Sequence, residues 1–502
     1  MITIIYSTHR DSEYNNKFKQ HLLLSCGLKD VQILEYINNN EFSLPQVYNS
    51  GITESMYNIV VCCHNDIKLE KNWGVRLLED FSKNPEFSII GKAGTCYFPS
   101  SGVYWERLQQ TMVGQVYHHP KGGKKFLSKY SAKLPFLIPV VSIDGLFISL
   151  DKTKIKHRFD ETIGKFHFYD HGFCIPNYLD NIKIGVTSSF EITHESIGQP
   201  NQEFYESKEK FLEKWGKTLP LDLKPNGVYI PKITEKPIKN IGKVAIIIVT
   251  KSKTNLLYNC IESFYKNCNS NVFDIFIADT GSNKEEKEWI KNNILPMGNI
   301  KLIEYDYYNF AQINNDVVKN HVSENYEFLL FSNNDIKILN NVIYGMLKVF
   351  NDLKKVGTVG ARLHYEDNTI QHDGIITFVD KKRAFQVTHS NLRAYYNFTP
   401  NLKNVVGSTG ALLMIRKNVF EKCGYFNENY LSCFEDVELN LKCITLGFDN
   451  YYDGSLVSYH LESQTRNEDP EKLLKLQSDY LECLQPFVVK NLEKIKKHIL
   501  VL

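Results

Sequence analysis

The 502-residue chain has no CxxC pair and no apolar run near the ~20 residues that a membrane helix needs. Segment 134–149 comes nearest to such a run, but Pro135, Pro139 and Asp144 interrupt it. There is also no basic leader with an apolar stretch behind it, because Met1-Ile2-Thr3-Ile4-Ile5-Tyr6 reads as a first strand. With 11 cysteines, an odd number, these absences predict a reduced cytosolic setting and no disulfide framework. Charge of one sign is missing too: a net +2 gives no sign of a general nucleic-acid binder. The run Thr250-Lys251-Ser252-Lys253 lacks the glycines of a phosphate loop after a strand, which disfavours a nucleotidyltransferase.

What is present divides the chain in two. From Lys217 to Lys243, Pro220, Pro225, Pro231 and Pro237 sit among scattered lysines with little periodicity, the pattern of a semi-extended connector. It is followed by Lys243-Val244-Ala245-Ile246-Ile247-Ile248-Val249-Thr250, a continuous apolar run as in a buried parallel strand. A helix over 254–267, a strand over 273–278 and the turn Asp279-Thr280-Gly281-Ser282-Asn283 come next. The first half has the same rhythm: strand 2–7, helix 13–25, strand 31–37, helix 44–56, strand 58–63. Two doubly wound α/β domains are expected, at 1–216 and 243–468, joined by a linker at 217–242 and followed by a helical extension at 469–502.

One ordered set of residues occurs twice. In the second half Asp335 is followed 101 residues later by Asp436, and Asp436 by His460 after 24 more. In the first half Asp66 is followed after 104 residues by Asp170, and Asp170 by His194 after 24. The pairs Asp335/His460 and Asp66/His194 offer carboxylate and imidazole ligands suited to Mn²⁺ or Mg²⁺. Asp436 and Asp170 are candidate general bases, with Glu435 as the alternative to Asp436. Bland readings compete. Asp66, Asp279, Asp335, Asn333 and Asn334 suit helix caps, His460 suits a core histidine, His64 a loop residue, and Glu438 a charge on a helix face.

The second half strings together Ile247-Ile248-Val249-Thr250, Ala278-Asp279-Thr280-Gly281-Ser282, Asn309-Phe310-Ala311-Gln312-Ile313-Asn314 and Phe331-Ser332-Asn333-Asn334-Asp335. The run continues through Gly360-Ala361-Arg362-Leu363, Gln371-His372-Asp373-Gly374, Gly407-Ser408-Thr409-Gly410-Ala411 and Glu435-Asp436-Val437-Glu438-Leu439. In these motifs and their order it resembles the family 2 glycosyltransferases of GT-A fold, in the rhamnosyltransferase-like branch. The first half resembles a divergent branch through Gly91-Lys92-Ala93-Gly94-Thr95, Ser101-Gly102-Val103-Tyr104-Trp105, Asp144-Gly145-Leu146-Phe147-Ile148 and Phe168-Tyr169-Asp170. It departs from the pattern at His64-Asn65-Asp66, which is not a full Asp-x-Asp, and at Gly172, where an acid is usual.

The resemblance implies a metal-dependent inverting transferase acting on a growing surface polysaccharide or glycan. Thr250, Asp279, Asn314, Asn333 and Asn334 would contact a nucleotide-sugar donor, as would Thr8, Asn38 and His64 in the first half. The implied acceptor is a glycan, free or lipid-linked. Two active modules, or one active second module with an acceptor-binding first module, both satisfy the pattern.

Segment 471–502 reads as a helix interrupted at Pro486, with Lys490, Lys494, Lys496 and Lys497 among Leu492, Ile495, Ile499 and Leu500. Such a helix either packs its apolar face on its domain, the commoner outcome, or lies peripherally on an anionic membrane.

Overall fold

The computed structural model describes residues 1–106, 109–238, 242–379, 385–430, 433–461 and 470–501. The expected boundary at 468/469 lies outside them. The chain forms two compact α/β units, one of Met1–Lys224 with Ala394–Asn397, the other of Pro225–Arg393 with Phe398–Leu502.

In the first unit, β1 (Ile2–Thr8) lies between β2 (Val31–Ile37) and β3 (Ile59–Cys63), all parallel. The same sheet continues through the strands Phe147–Asp151, Phe87–Gly91, Lys183–Val186 and Ile138–Val140. Helix α1 (Ser12–Cys26) follows β1; the Asp11 side chain accepts from the Tyr14 N–H and Gly27 ends the helix at φ 77°. A short strand, β4 (Ile67–Leu69), follows β3 and pairs antiparallel with β5 (Ile192–His194) in a second sheet. Between them in sequence lies α2 (Tyr169–Leu179).

The second unit repeats this plan. Strand β6 (Lys243–Thr250) lies between β7 (Phe273–Asp279) and β8 (Tyr326–Asn333), again all parallel. Its apolar run is buried on both faces, with Val244, Ile246 and Ile248 in one core and Ala245 and Ile247 in the other. That two-residue alternation explains why the run shows no polar positions. The helix Thr254–Asn267 follows, as the sequence predicts. Beyond β8, the short β9 (Ile336–Ile338) pairs with β10 (Asp449–His460), which α3 (Glu435–Thr445) precedes.

The connector departs from the expectation of a plain linker, since residues 225–238 are tied along the second unit. Asn368 Nδ2 donates to the Pro225 carbonyl at 2.8 Å, Asn341 Nδ2 to Glu235 at 2.7 Å, and the buried Arg362 guanidinium to the Tyr229 carbonyl.

The C-terminal segment also differs from its sequence reading. Helix α4 (Pro470–Ile495) runs through Pro486 without a break. Proline in a helix interior costs about 3 kcal/mol, and here a stripe of Tyr480, Leu484, Val488 and Ile495 buried on α3 residues Val437, Leu441 and Ile444 offsets it. Ile499 and Leu500 belong to a strand, Ile499–Val501, paired with Ile375–Val379, so they are not part of an amphipathic helix. Val489, Leu492, Lys490 and Lys494 remain exposed on α4. Among the described residues no helix is long and apolar enough to cross a membrane. Leu484 is fully buried, so Leu484→Ala is expected to destabilise the second unit by about 2–5 kcal/mol, read as a lower denaturation midpoint. None of the 11 cysteines is in a disulfide.

Candidate active site

The carboxyl ends of the central strands build the same framework twice. In the first unit the Asn65 amide donates to Thr8 Oγ1 at 2.8 Å, and in the second the Asn334 amide donates to Thr250 Oγ1 at 2.9 Å. The Asn38 N–H donates to the Thr8 carbonyl, and the Thr280 N–H to the Thr250 carbonyl. Register then identifies equivalent positions. Thr250 pairs with Asp279, whereas Thr8 pairs with Ile37. Asp279 is fully buried; its Oδ1 accepts from the Ser282 N–H at 3.1 Å, while its Oδ2 has no hydrogen-bond partner among the described residues. Ile37 is 71% exposed. The acid expected to hold the nucleoside end of a donor thus has no counterpart in the first unit.

Asp66 and Asp335 each sit in the turn before a short strand rather than before a helix, so the capping reading fails for both. Asp279 ends a strand, and Asn283 caps the helix Lys284–Asn293 instead. Antiparallel pairing sets Ile67 opposite His194 and Ile336 opposite His460. Each histidine therefore meets the acid one residue earlier, with Asp66 Oδ1 to His194 Nε2 and Asp335 Oδ1 to His460 Nε2 both at 3.3 Å. In the first unit His64 joins the pair, its Nδ1 4.0 Å from Asp66. His64, Asp66 and His194 offer ligand atoms all within 4.8 Å of one another, the one such set of three among the described residues. Burial works against the Asp66 charge, but His194, by hydrogen bond and charge, together with His64 and Ser196, holds the carboxyl well below the usual range.

In the second unit Asn333 takes the place of His64, and its amide hydrogen-bonds His460 at 3.1 Å. Neither Asn333 nor Asn334 caps a helix. Asp335 Oδ1 and His460 Nδ1, both buried, have no hydrogen-bond partner among the described residues. The unspent buried atoms of Asp335 and His460 in the second unit, and the clustered ligand atoms of His64, Asp66 and His194 in the first, fit a divalent cation.

The two candidate bases are held alike. Phe168 and Phe434, immediately before α2 and α3, adopt left-handed φ of 59° and 74°, an unfavourable conformation for a bulky residue. The next turn brings Asp170 Oδ2 to within 2.8 Å of the Gly145 N–H and Asp436 Oδ2 to within 2.6 Å of the Gly410 N–H. The other oxygens accept from the His171 N–H at 2.9 Å and the Val437 N–H at 2.7 Å. Each carboxylate is fixed by two backbone donors and keeps a lone pair on each oxygen. Burial raises the Asp170 carboxyl above its usual range, against the lowering effect of His171 and with help from Asp144.

The remaining predicted residues fall as follows. Glu435 is buried at the start of α3. Asn314 is buried in the helix Phe310–Asp316, where its amide donates to the Phe310 carbonyl at 2.8 Å. Glu438 is no surface charge: only 4% exposed, it accepts from Asn427 and Tyr430 and pairs with Lys442.

Three positions escaped the sequence reading. Asn440 Nδ2 donates to the Ser408 and Asp436 carbonyls, tying the loop that holds Asp436 to α3. Tyr169, at the position of Glu435, shares a hydrogen bond with His64 at 2.9 Å. Asp144, next to Gly145, stands where the second unit has Thr409 next to Gly410. The i, i+4 spacing of Asn440 from Asp436 was available in the sequence, but the other two depend on tertiary contacts.

A family model described as "Glycosyltransferase like family" matches residues 8–215. The O-antigen biosynthesis protein RfbC of Myxococcus xanthus is 25% identical over 241 residues, 46% of this chain and 18% of that protein. The uncharacterized protein y4gI of Sinorhizobium fredii (strain NBRC 101917 / NGR234) is 25% identical over 272 residues, 53% of this chain and 29% of that protein. The chain thus covers under a third of either relative. Among solved structures, GalNAc-T7 with UDP, GalNAc and Mn²⁺ aligns with TM-score 0.36 at 14% identity over 46% of each chain. The mannosyltransferase PcManGT from Pyrobaculum calidifontis with GDP-Man and Mn²⁺ aligns with TM-score 0.34 at 12% identity, over 50% of this chain and 73% of that one. Residues 8–215 thus carry the match to the glycosyltransferase-like family, and the second unit repeats the paired-strand framework of the first.

Proposed function

We propose that the chain is a metal-dependent inverting glycosyltransferase with two sites, moving sugars from nucleoside-diphosphate donors to a growing surface glycan. The observation that carries this reading is a repeat: in each unit an acid and a histidine lie 3.3 Å apart, and a second acid is held by a glycine N–H. Asp66, His194 and His64, and in the second unit Asp335 and His460, would hold the divalent ion. When bound, such an ion neutralises the charge that develops on a departing diphosphate. Asp170 and Asp436 take the proton of an acceptor hydroxyl as its oxygen attacks the anomeric carbon. Their rigid anchoring presents the base without reorganisation. Asp279 Oδ2, a buried acceptor 3.9 Å from Lys287 Nζ and without a hydrogen bond among the described residues, receives one from the nucleoside end of the donor.

A second reading keeps only the second unit catalytic, with the first as an acceptor-binding scaffold; Ile37 in place of Asp279 favours it. The nucleoside contact gives a direct test. Asp279→Ala is expected to weaken nucleoside diphosphate binding by ~10-fold or more in calorimetric titration with Mn²⁺, as for loss of a buried hydrogen bond. Purified chain that consumes no member of a panel of nucleotide sugars, with any divalent metal, would sink the transferase reading itself.

A further inference from the structure

Beside Asp170 the first unit exposes an aromatic surface that the assignments above leave unused. Of the four tryptophans only Trp105 is exposed, at 40%. Its ring stands edge-on to Tyr104, with centroids 5.0 Å apart and an interplanar angle of 81°, and rests against Phe204 at 5.8 Å. Tyr104 is buried, packs edge-on against His171, the residue after Asp170, at 5.3 Å, and donates from its hydroxyl to Asp144 Oδ2 at 3.4 Å. Asp144 Oδ1 accepts from the Leu146 N–H at 2.9 Å, and the intervening Gly145 N–H is the one that fixes Asp170. An unbroken set of contacts thus runs from an exposed indole, through a buried phenol and a half-buried carboxylate, to the candidate base. On the resemblance stated above, the nucleoside end of a donor would lie elsewhere, at Thr8 and Asn38 where β1 and β2 end.

Two chemical features select a ligand class. A pyranose ring carries an apolar C–H face beside a rim of hydroxyls. A half-exposed indole offers a flat apolar surface at little entropic cost, because the buried neighbours hold its ring. A carboxylate accepts from hydroxyl donors more strongly than a neutral group does. Thr409, standing at the Asp144 position in the second unit, lacks that charge.

We propose that Trp105 and Asp144, braced by Tyr104, form a saccharide-binding subsite of the first unit, with the indole stacked on a pyranose face and the Asp144 carboxylate accepting from its hydroxyls next to Asp170. As an acceptor subsite it rests on the transferase reading above; as a saccharide site it does not.

The test is binding by the full chain, without donor, to an array of mono- to tetrasaccharides, with hits measured in solution by saturation-transfer NMR. At least one saccharide held by the wild type is expected to lose ~10-fold or more in affinity with Trp105→Ala and with Asp144→Asn, and to stay within ~3-fold with Trp105→Phe, which keeps an aromatic face. Saccharides held elsewhere on the chain are unaffected. Should Trp105→Ala lower the melting temperature by more than a few degrees, Trp105→Phe and Asp144→Asn decide the matter. A saccharide profile unchanged in Trp105→Ala and Asp144→Asn, or a wild-type chain that retains no saccharide at millimolar concentration, overturns the proposal. A chain that binds saccharide through Trp105 yet consumes no nucleotide sugar keeps this subsite and removes the transferase reading. One that consumes donor while binding indifferently to Trp105 does the reverse.

Discussion

Asp436→Asn is expected to abolish one glycosyl transfer and Asp170→Asn another, each by ~10²–10⁴-fold, the usual worth of a general base. Only the double variant falls silent on every acceptor. The substitution is less innocent here than in an open cleft. Both oxygens of Asp436 accept backbone N–H groups, from Gly410 at 2.6 Å and Val437 at 2.7 Å. An amide turns its own N–H₂ toward one of them, a mismatch worth ~1–3 kcal/mol. Melting curves should therefore accompany product analysis, and a turnover loss larger than any loss of folded protein is the signature of a missing base. Two outcomes redirect the assignment. Wild-type turnover in Asp436→Asn with a dead Glu435→Gln moves the base to the neighbouring carboxylate. A full product set in Asp170→Asn, with none in Asp436→Asn, makes the first unit a scaffold.

Chelation is expected to remove both transfers, with recovery on adding Mn²⁺ or Mg²⁺. The two units should differ in how readily they surrender the ion. The first brings three ligand atoms within 4.8 Å of one another, whereas the second pairs only Asp335 with His460, beside the Asn333 amide. With fewer protein ligands the second depends more on the donor's own diphosphate oxygens, so its transfer fails at lower chelator concentration. His64→Ala should narrow that gap. Full activity in excess chelator would remove the metal from whichever linkage persists.

The equal spacing of acid and histidine has a concrete cause. Both α2 and α3 are 11 residues long, and the return that follows each, broken into Lys183–Val186 and Ile192–His194 in the first unit and continuous in the second, ends on a histidine that pairs one place beyond the first acid. Sequence periodicity carried that far because strands buried on both faces and helices of fixed length are local patterns. Where partners come from distant segments it carried no further. Nothing in Val31–Ile37 marks Ile37 as the position of an acid in the other half, because that equivalence exists only in strand register. Pro486 reads as a stop until the buried stripe on either side is seen. Glu438 looks like a surface charge because its partners, Asn427 and Tyr430, lie on the loop before its helix.

The polar contacts of residues 225–238 decide where the second half can be divided from what precedes it. Arg362 is fully buried and donates to the Tyr229 carbonyl, and Asn340 reaches the Pro231 carbonyl as well as Ser455. A second half begun at residue 243, where its first strand starts, leaves that guanidinium without its carbonyl, a loss of about 1.5–3 kcal/mol for a hydrogen bond to a charged group. One begun at Pro225 keeps the bond. The proline-rich stretch that reads as a tether between modules thus behaves as the selvedge of the second one, woven in before its first strand begins.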